Sequence, residues 1–300
     1  YRDAVRRFTK GDGNTTDFLD MVNGDYHHFE DNGGPQKSIN FIVAHDGFNL
    51  ADLVSYQTKN NDQPYPFGPS DGGSDDNMSW DSGGDPALRR QRLRNLWTIL
   101  MLSRGVPMVV AGDEFGRTQY GNNNAYCQDD PISWVDWDLA EGQQAQIDAV
   151  SWLIALRKAH PVLRPDSFAT GRPFGGDSIA DLSWYTAQGT PMPDYGWTDS
   201  RHRTFQMLRS GVKWGDRDAL VIINANLNDA EVTLPEGHDL DWLIAYSTVW
   251  ETPADGGVGS SLDPDELSLE VEHVAPRSTL TIDALSVTIL LSDIAFQPEN

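Results

Sequence analysis

The first half of the sequence carries two short apolar runs on either side of one long amphipathic helix, and this order constrains the fold most strongly. The runs Ser38–Ala44 and Val106–Ala111 are apolar on both faces, as buried parallel strands are. Asp85 and Pro86 suit the N-cap and first position of a helix, which Gly105 then ends. Two parallel strands joined by a helix form a βαβ unit, so an α/β fold is predicted for this half.

The helix between the two runs combines one apolar face with a cluster of arginines. Apolar residues recur at the i, i+3, i+4, i+7 spacing of a buried face: Leu93, Leu96, Trp97, Leu100 and Met101. Four arginines in its N-terminal half are expected to form a solvated face that pairs with nearby acids: Arg89, Arg90, Arg92 and Arg94. A further helix is predicted from about Glu141 to Lys158, where His160 and Pro161 end it.

The pattern changes near residue 165. From about Gly171 onward, short strand-like segments alternate with clusters of Gly, Asn, Asp and Pro, which is typical of an antiparallel β-sandwich. The segments are DLSWY, RTFQMLRSG, DALVIINAN, AEVTL, DWLIAYSTV, LSLEVEHV and LSVTILLS. We therefore predict two domains, residues 1–165 and 166–300, and expect the β unit to fold by itself because a sandwich carries its own core.

Charge and motifs exclude several functions. The net charge of −23 repels phosphate backbones and anionic lipids, so neither nucleic acid nor a membrane is expected as a partner. The single cysteine, Cys127, cannot form an internal disulfide and fits a reducing compartment, which predicts a cytoplasmic protein. The sequence lacks metal-type Cys/His spacing, a Walker loop and a dinucleotide-binding glycine fingerprint. No cofactor and no metal are therefore expected.

Polar residues follow both apolar runs. His45-Asp46 comes after the first and Asp113-Glu114 after the second. In a (β/α)₈ barrel the active site lies at the carboxyl ends of the strands, so the two pairs would point at the same mouth. The alternative is a simple capped strand end, since a His-Asp dipeptide alone carries little information.

The loop between the first run and the helix favours a site. Residues Gly47–Gly84 form a stretch of 38 residues with little regular pattern, and loops of that length are usually functional or disordered. Its aromatic residues lie among Asn, Asp and Gln: Tyr56, Tyr65, Phe67 and Trp80. Aromatic faces that stack on C–H groups, with polar side chains for hydroxyls, suit a sugar. The alternative for these rings is packing within the loop.

Several segments resemble one enzyme family. SINFIVAHDGFNLADLVSY, RRQRLRNLWTILMLSRGVPMVVAGDEFGRTQYGNNNAYCQDDPISWVDWDL and LRKAHPVLR are similar to segments of bacterial glycogen-debranching enzymes and isoamylases, which belong to the α-amylase superfamily of retaining glycoside hydrolases. The resemblance covers residues 1–165 and is most specific over Arg104–Leu139. It implies an incomplete, C-terminal part of a (β/α)₈ barrel followed by the family's C-terminal β domain.

The resemblance also implies roles for individual residues. Asp46 corresponds to the transition-state stabiliser at the end of the seventh strand, and His45 to the residue that binds hydroxyls of the sugar at the cleavage point. Asn122 and Asn123, in the segment Tyr120–Asp130, are expected to bind substrate; an ordered polar loop is the alternative. Asp113 and Glu114 are expected to be mainly structural. The family's nucleophile and general-acid segments have no match here, so both groups are expected upstream of Tyr1.

The function implied is therefore that of a parent enzyme which hydrolyses α-1,6 branch points of glycogen or a related branched α-glucan with retention. This chain alone is expected to be inactive. Two alternatives remain open. One is another α-glucan-active enzyme, such as a starch isoamylase or a transglycosylase. The other is a non-catalytic glucan-binding module.

Overall fold

The computed structural model describes residues 1–139, 141–199, 202–258, 271 and 273–297. In these residues the first half is mainly helical, with helices α1 Arg2–Lys10, α2 Thr15–Val22, α3 Tyr26–Phe29, α4 Leu50–Leu53, α5 Pro86–Leu102 and α6 Glu141–Ala159. The strands are β1 Ile39–Asn40, β2 Val106–Pro107, β3 Leu182–Thr186, β4 Thr204–Arg209, β5 Arg217–Asn224, β6 Ala230–Thr233, β7 Trp242–Ser247, β8 His273–Val274, β9 Thr279–Ile282 and β10 Ser286–Ala295. The chain is thus mixed α and β, with the longer strands all in its second half.

The two long helices lie where the sequence predicts them. The Asp85 side chain caps α5 by accepting a hydrogen bond from the backbone N–H of Ala87 at 2.9 Å, and Pro86 occupies the first turn. The predicted apolar face of α5 is buried. Helix α6 ends at Ala159, one residue beyond the predicted end, just before His160 and Pro161. Helix α5 ends at Leu102 with Ser103 as its C-cap, before the predicted stop at Gly105, and the predicted positions of both helices are otherwise confirmed.

The two apolar runs form much shorter strands than predicted. β1 and β2 pair in parallel through two residues each, Ile39 with Val106 and Asn40 with Pro107. Ile42 and Val43 are buried as expected, but Ile39 is 59% exposed, so its predicted place in the core is wrong. Val106, Met108 and Val109 are 44%, 40% and 46% exposed. The reason is that nothing in the described chain covers this face of the strand pair.

The second half forms an antiparallel sheet with two differently covered faces. Its six strands are ordered β3-β4-β5-β10-β7-β8, and β6 pairs with β9 in a separate two-stranded sheet. Val232 and Ile282 of the small sheet pack against Leu220, Trp242 and Leu290 on one face of the large sheet. Most strand predictions are confirmed, whereas β9 was missed. LSLEVEHV lies largely outside the described residues, apart from Val271 and β8.

The other face of the large sheet packs against helices of the first half. One continuous core cluster contains Leu96 of α5 and Trp152 of α6 together with Phe205, Val221 and Ile289 of the sheet. The indole N–H of Trp152 donates to the carbonyl of Ala245 in β7 at 3.0 Å. The division at residue 165 therefore follows the change in secondary structure, but the hydrophobic core continues across it.

Two arginines of α5 join this interface, and a third is buried within the first half. Arg92 and Arg94 are buried, so the prediction of a solvated face is wrong for both. Arg92 donates to the Trp80 carbonyl in the loop before α5 at 2.9 Å, whereas Arg94 Nε donates to the carbonyl of Thr248 at 2.8 Å. Arg90 forms a two-pronged ion pair with Glu251 at 3.0 to 3.1 Å. Arg90 and Arg94 thus hold the first half against the β segment.

Candidate functional site

His45 and Asp46 lie in the loop that follows β1, with both side chains exposed. Among the described residues, neither side chain has a hydrogen-bond partner. Just before them, Arg6 of α1 donates from Nε to the carbonyl of Ile42 at 2.8 Å and from Nη1 to that of Asn77 at 3.2 Å. Burial lowers the pKa of Arg6 to about 10, while the nearby charge of Asp46 acts in the opposite direction. A buried cation therefore anchors the backbone beside an exposed His-Asp pair.

The loop after β1 is fastened to the loop after β2 by Asp52, a buried acid in α4 that the sequence analysis missed. Its carboxylate accepts hydrogen bonds from the Thr118 hydroxyl and from the backbone N–H groups of Gln119, at 2.8 Å, and Gly121, at 3.2 Å. Burial raises the pKa of Asp52 to about 6, against the effect of these three donors. The available signal was an acid enclosed by apolar residues in the segment NLADLV.

Gly121 allows the two loops to approach closely. Its φ of +81° lies in the left-handed region, and a Cβ atom at this position would come within 2.6 Å of the Tyr56 ring. Only glycine meets both conditions without strain. The same residue donates its N–H to Asp52, so one turn both packs against and bonds to the first loop.

Asn122 and Asn123 form a second fastening between the loops. Both are buried. Asn122 accepts from the Ser70 hydroxyl at 2.8 Å, and Asn123 exchanges hydrogen bonds with Asn61, each at 3.0 Å. The amide of Asn123 also donates to Asn77 at 2.8 Å. The structure therefore puts these two predicted substrate-binding side chains behind the loop surface, where their polar atoms contact protein.

Asp113 and Glu114 follow β2 and contact backbone. Asp113 is buried, and its Oδ1 accepts from the N–H of Leu50 in α4 at 3.0 Å. Glu114 accepts from the N–H of Gly112 at 2.8 Å. Burial raises the pKa of Asp113 to about 7, while the hydrogen bond from Leu50 opposes the shift. Asp113 thus ties the end of β2 to the first loop.

The buried Asp113 carboxyl should make stability depend on pH. Its pKa in the folded chain is about 7 against an ordinary 3.8, so the folded state binds more protons between these values. The free energy of unfolding should then fall as pH rises from about 4 to about 7, by at most about 1.4 kcal/mol per pH unit for this group. We expect Asp113→Asn to become progressively more stable relative to the parent chain over this interval, as measured by urea unfolding.

The control for this experiment is Asp62→Asn, which changes an exposed carboxylate in the preceding loop. This variant shows what the removal of an exposed carboxylate does by itself, and its result is compared with that of Asp113→Asn at each pH. A stability difference for Asp113→Asn that does not change with pH would contradict the expectation.

Each of the two loops has an exposed tyrosine. Of the four aromatic residues predicted for sugar stacking, Tyr65 is exposed, at 79%. The other three pack within the protein: Tyr56 near Phe48, Phe67 near Tyr120, and Trp80 beneath Arg92. The second loop adds Tyr126, at 81% exposure, which the sequence analysis did not single out. Flat rings on fastened loops offer stacking surfaces for a neutral sugar.

Relatives of known sequence share most of this chain. The "Glycogen operon protein GlgX homolog" of Mycobacterium tuberculosis (strain ATCC 25618 / H37Rv) is 37% identical over 264 residues, which cover 81% of this chain and 36% of the relative. "Glycogen debranching enzyme" of Pectobacterium carotovorum is 37% identical over 268 residues, covering 86% and 38%. "Isoamylase" of Flavobacterium sp is 40% identical over 197 residues, covering 66% and 25%. The chain thus spans between a quarter and two fifths of these relatives. No family model matches it.

Solved structures share the fold. Pullulanase type I from Bacillus subtilis complexed with maltose aligns with a TM-score of 0.62 at 20% identity, covering 97% of this chain and 34% of the pullulanase. Apo pullulanase from Paenibacillus barengoltzii aligns with a TM-score of 0.60 at 22% identity, covering 97% and 38%. The chain therefore has the fold of a segment of the pullulanases. By sequence it is a homologue of the bacterial glycogen-debranching enzymes and isoamylases, as the resemblance of its motifs predicts.

Among the described residues, no helix combines the length and the apolar character needed to cross a lipid bilayer.

Proposed function

We propose that this chain is part of a glycoside hydrolase that cleaves α-1,6 branch linkages of glycogen or a related branched α-glucan with retention. The observation that carries the proposal is the exposed His45-Asp46 pair, which follows a parallel strand in a homologue of debranching enzymes. The surrounding loops are fastened to each other and expose tyrosines, as a sugar-binding surface requires.

Asp46 is the residue we assign to the transition state. Cleavage of a glycosidic bond passes through a state in which positive charge develops on the sugar ring. A carboxylate that holds the ring hydroxyls stabilises this state more than the ground state, and only such a difference accelerates the reaction. His45 is assigned to the hydroxyls of the same sugar. Neither side chain forms a hydrogen bond within the described protein, so the polar atoms of both can contact substrate.

The nucleophile and the general acid are assigned to a preceding segment of the parent protein. Retaining hydrolysis needs two carboxyl groups about 5–5.5 Å apart, one for covalent attack and one for proton transfer. No acid in this sequence stands in the family's motif for either role. The 300-residue chain should therefore lack hydrolytic activity, although it carries Asp46.

We propose further that residues 1–165 are the last part of a (β/α)₈ barrel and that residues 166–300 are the C-terminal β domain. The parallel β1–β2 pair with α5 between its strands is one βαβ unit. The exposed apolar side chains at Ile39, Val106, Met108 and Val109 support a neighbouring segment that covers them. Asn122 and Asn123 are assigned to holding the loops at the mouth.

The proposed partner is a neutral branched glucan, and the proposed location is the cytoplasm. The net charge of −23 favours an uncharged partner over nucleic acid or an anionic membrane. Cys127 is a free, exposed thiol, which suits a reducing compartment.

The test compares the 300-residue chain with the same chain joined to the sequence that precedes it in the parent protein. Release of reducing ends from glycogen and pullulan is measured for both. We expect activity only from the longer protein, with linear chains as products of glycogen. Absence of debranching by the longer protein, with retained glucan binding, would favour a binding module instead. Activity of the purified short chain that disappears in Asp46→Ala would contradict the assignment of the nucleophile and the general acid to a preceding segment.

A further inference from the structure

Three side chains that could bind a metal ion converge on neighbouring strands of the large sheet, in the β segment. Asp241 directly precedes β7, His273 begins β8 and Asp293 lies near the end of β10. The strand order is β10-β7-β8, and the N–H of Asp293 donates to the carbonyl of Asp241 at 2.8 Å. The potential ligand atoms all lie within 4.8 Å of one another. Sequence spacing could not reveal this group, because its members are 32 and 20 residues apart.

The strand pairing brings the three residues side by side. Leu243 of β7 pairs with His273 and with Leu291, so these three side chains share one face. Asp241 lies two residues from Leu243 along the chain, and side chains at that spacing in extended backbone point the same way. Asp293 lies within the register shift between Leu291 and Ala295, so its place in the group follows from the distances between the ligand atoms and not from strand alternation.

Asp293 carries an unexplained buried oxygen. Its Oδ1 is shielded from solvent yet has no hydrogen-bond partner among the described residues. Within the described chain, Asp241 Oδ2 lies 3.9 Å from His273 Nδ1, and this contact does not involve Asp293. A buried carboxylate oxygen without a partner is costly, and an ion at that point is one of the arrangements that removes the cost.

The backbone holds Asp293 in place. The pairing of β10 with β5 shifts register between Leu291 and Ala295, as in a β-bulge. Ser292 fixes this irregularity, since its hydroxyl accepts from the N–H of Asp218 at 2.9 Å and donates to the carbonyl of Ile294 at 2.8 Å. Bulges commonly re-aim a side chain at a site. Here the bulge positions the carboxylate beside Asp241 and His273.

We propose that Asp241, His273 and Asp293 bind a divalent transition-metal ion of the zinc type. One imidazole nitrogen and two carboxylate oxygens suit Zn²⁺, whereas Mg²⁺ and Ca²⁺ prefer oxygen ligands alone. In a tetrahedral zinc site, ligand atoms about 2.0 Å from the metal are roughly 3.3 Å apart. Small rotations of Asp241 and His273, whose side chains are 46% and 48% exposed, bring the 3.9 Å pair to that separation. Water completes the coordination.

The bound ion would fasten the edge of the sheet. β8 contributes two residues to the sheet and pairs only with β7 in the described structure. A metal shared by Asp241, His273 and Asp293 links β8 to both β7 and β10. The site is therefore assigned a stabilising role that is independent of hydrolysis by the parent enzyme.

The test uses the 300-residue chain carrying Cys127→Ser, which removes an exposed thiol that could itself bind zinc. After treatment with a chelator, Zn²⁺ binding is measured by titration calorimetry, and Co²⁺ is used to record visible absorption. We expect one ion per chain, weakened about tenfold or more by Asp293→Asn and by His273→Gln. Hydrogen exchange at residues 242–243 and 273–274 should slow when Zn²⁺ is added.

His28→Gln is the matched control, because the exposed His28 lies 2.6 Å from Asp25 and no third metal-binding side chain of the described chain joins this pair. This variant should bind Zn²⁺ as the parent chain does. His273→Gln alters a half-exposed side chain and keeps the test decisive if Asp293→Asn disturbs the bulge. Absence of saturable binding would overturn the proposal. The proposal would also be overturned if both site variants bound Zn²⁺ as tightly as the parent chain, or if His28→Gln lost as much affinity as they do.

Discussion

Replacing Asp46 by Asn in the full-length parent enzyme should lower turnover on branched glucan on the order of a hundredfold or more, a size typical of removing one preorganised electrostatic contact to a transition state. The substitution keeps the shape of an exposed side chain without a described hydrogen bond, so the fold should not change. The charge that stabilises the developing oxocarbenium ion is lost, whereas hydroxyl contacts to the ground state are largely kept. Turnover should therefore fall far more than the affinity for a branched oligosaccharide.

The control for this substitution is Asp62→Asn, at an exposed acid in the loop that follows α4. Initial rates and equilibrium binding are measured for both variants and for the parent enzyme. Near-normal turnover in Asp46→Asn would mean that Asp46 is an exposed loop residue without a role in the reaction. Equal losses in the two variants would mean that the loop's general charge matters and not the position of Asp46.

Replacing Trp152 by Ala should destabilise the 300-residue chain by about 3–5 kcal/mol, as loss of a large buried aromatic side chain does. Trp152 is 2% exposed in the core that α6 shares with the sheet, and its indole N–H bonds to Ala245. Because that core includes both halves of the chain, unfolding should remain a single transition. Urea unfolding followed by circular dichroism measures the loss in the free energy of unfolding. Limited proteolysis along the same urea series shows whether the two halves unfold together.

Trp137→Ala is the matched control, since Trp137 is 74% exposed and its ring contacts that of Phe115. Trp137→Ala should lower the free energy of unfolding much less than Trp152→Ala does. A protease-resistant fragment beginning near residues 165–180 in the Trp152→Ala chain would show that the β segment is stable alone. That result would restore the independent β unit that the sequence pattern predicts.

Local signals in the sequence predicted the long elements well. The start of α5 depends on Asp85 and Pro86, which act within one turn, and the end of α6 is marked by His160 and Pro161, which follow it directly. The shortness of β1 could not be predicted in the same way. A strand continues only where a partner strand lies beside it, and Ile39 gives no sign of whether its face is covered. The burial of Arg92 likewise depends on how the loop before α5 folds back onto the helix, so that the Trp80 carbonyl accepts its hydrogen bond.

In the candidate site, too, residues marked by local sequence signals were predicted and residues defined by long-range contacts were not. His45 and Asp46 were found because they follow an apolar run directly and match a family motif. Asp52 was missed because its three partners lie in a loop 66 to 69 residues away. Asn122 and Asn123 were expected to face substrate because amides suit sugar hydroxyls. The same amides suit other amides, and Asn61 and Asn77 reach Asn123 first.

The two fastened loops have a consequence for how a glucan would bind. Asp52 and Asn123 hold them through hydrogen bonds that need no ligand. The loops therefore lose their conformational entropy when the chain folds, and little remains to be lost when substrate arrives. A long, flexible polysaccharide branch would itself have to become ordered when it binds. With the protein side already rigid, the unfavourable entropy of association falls mainly on the sugar.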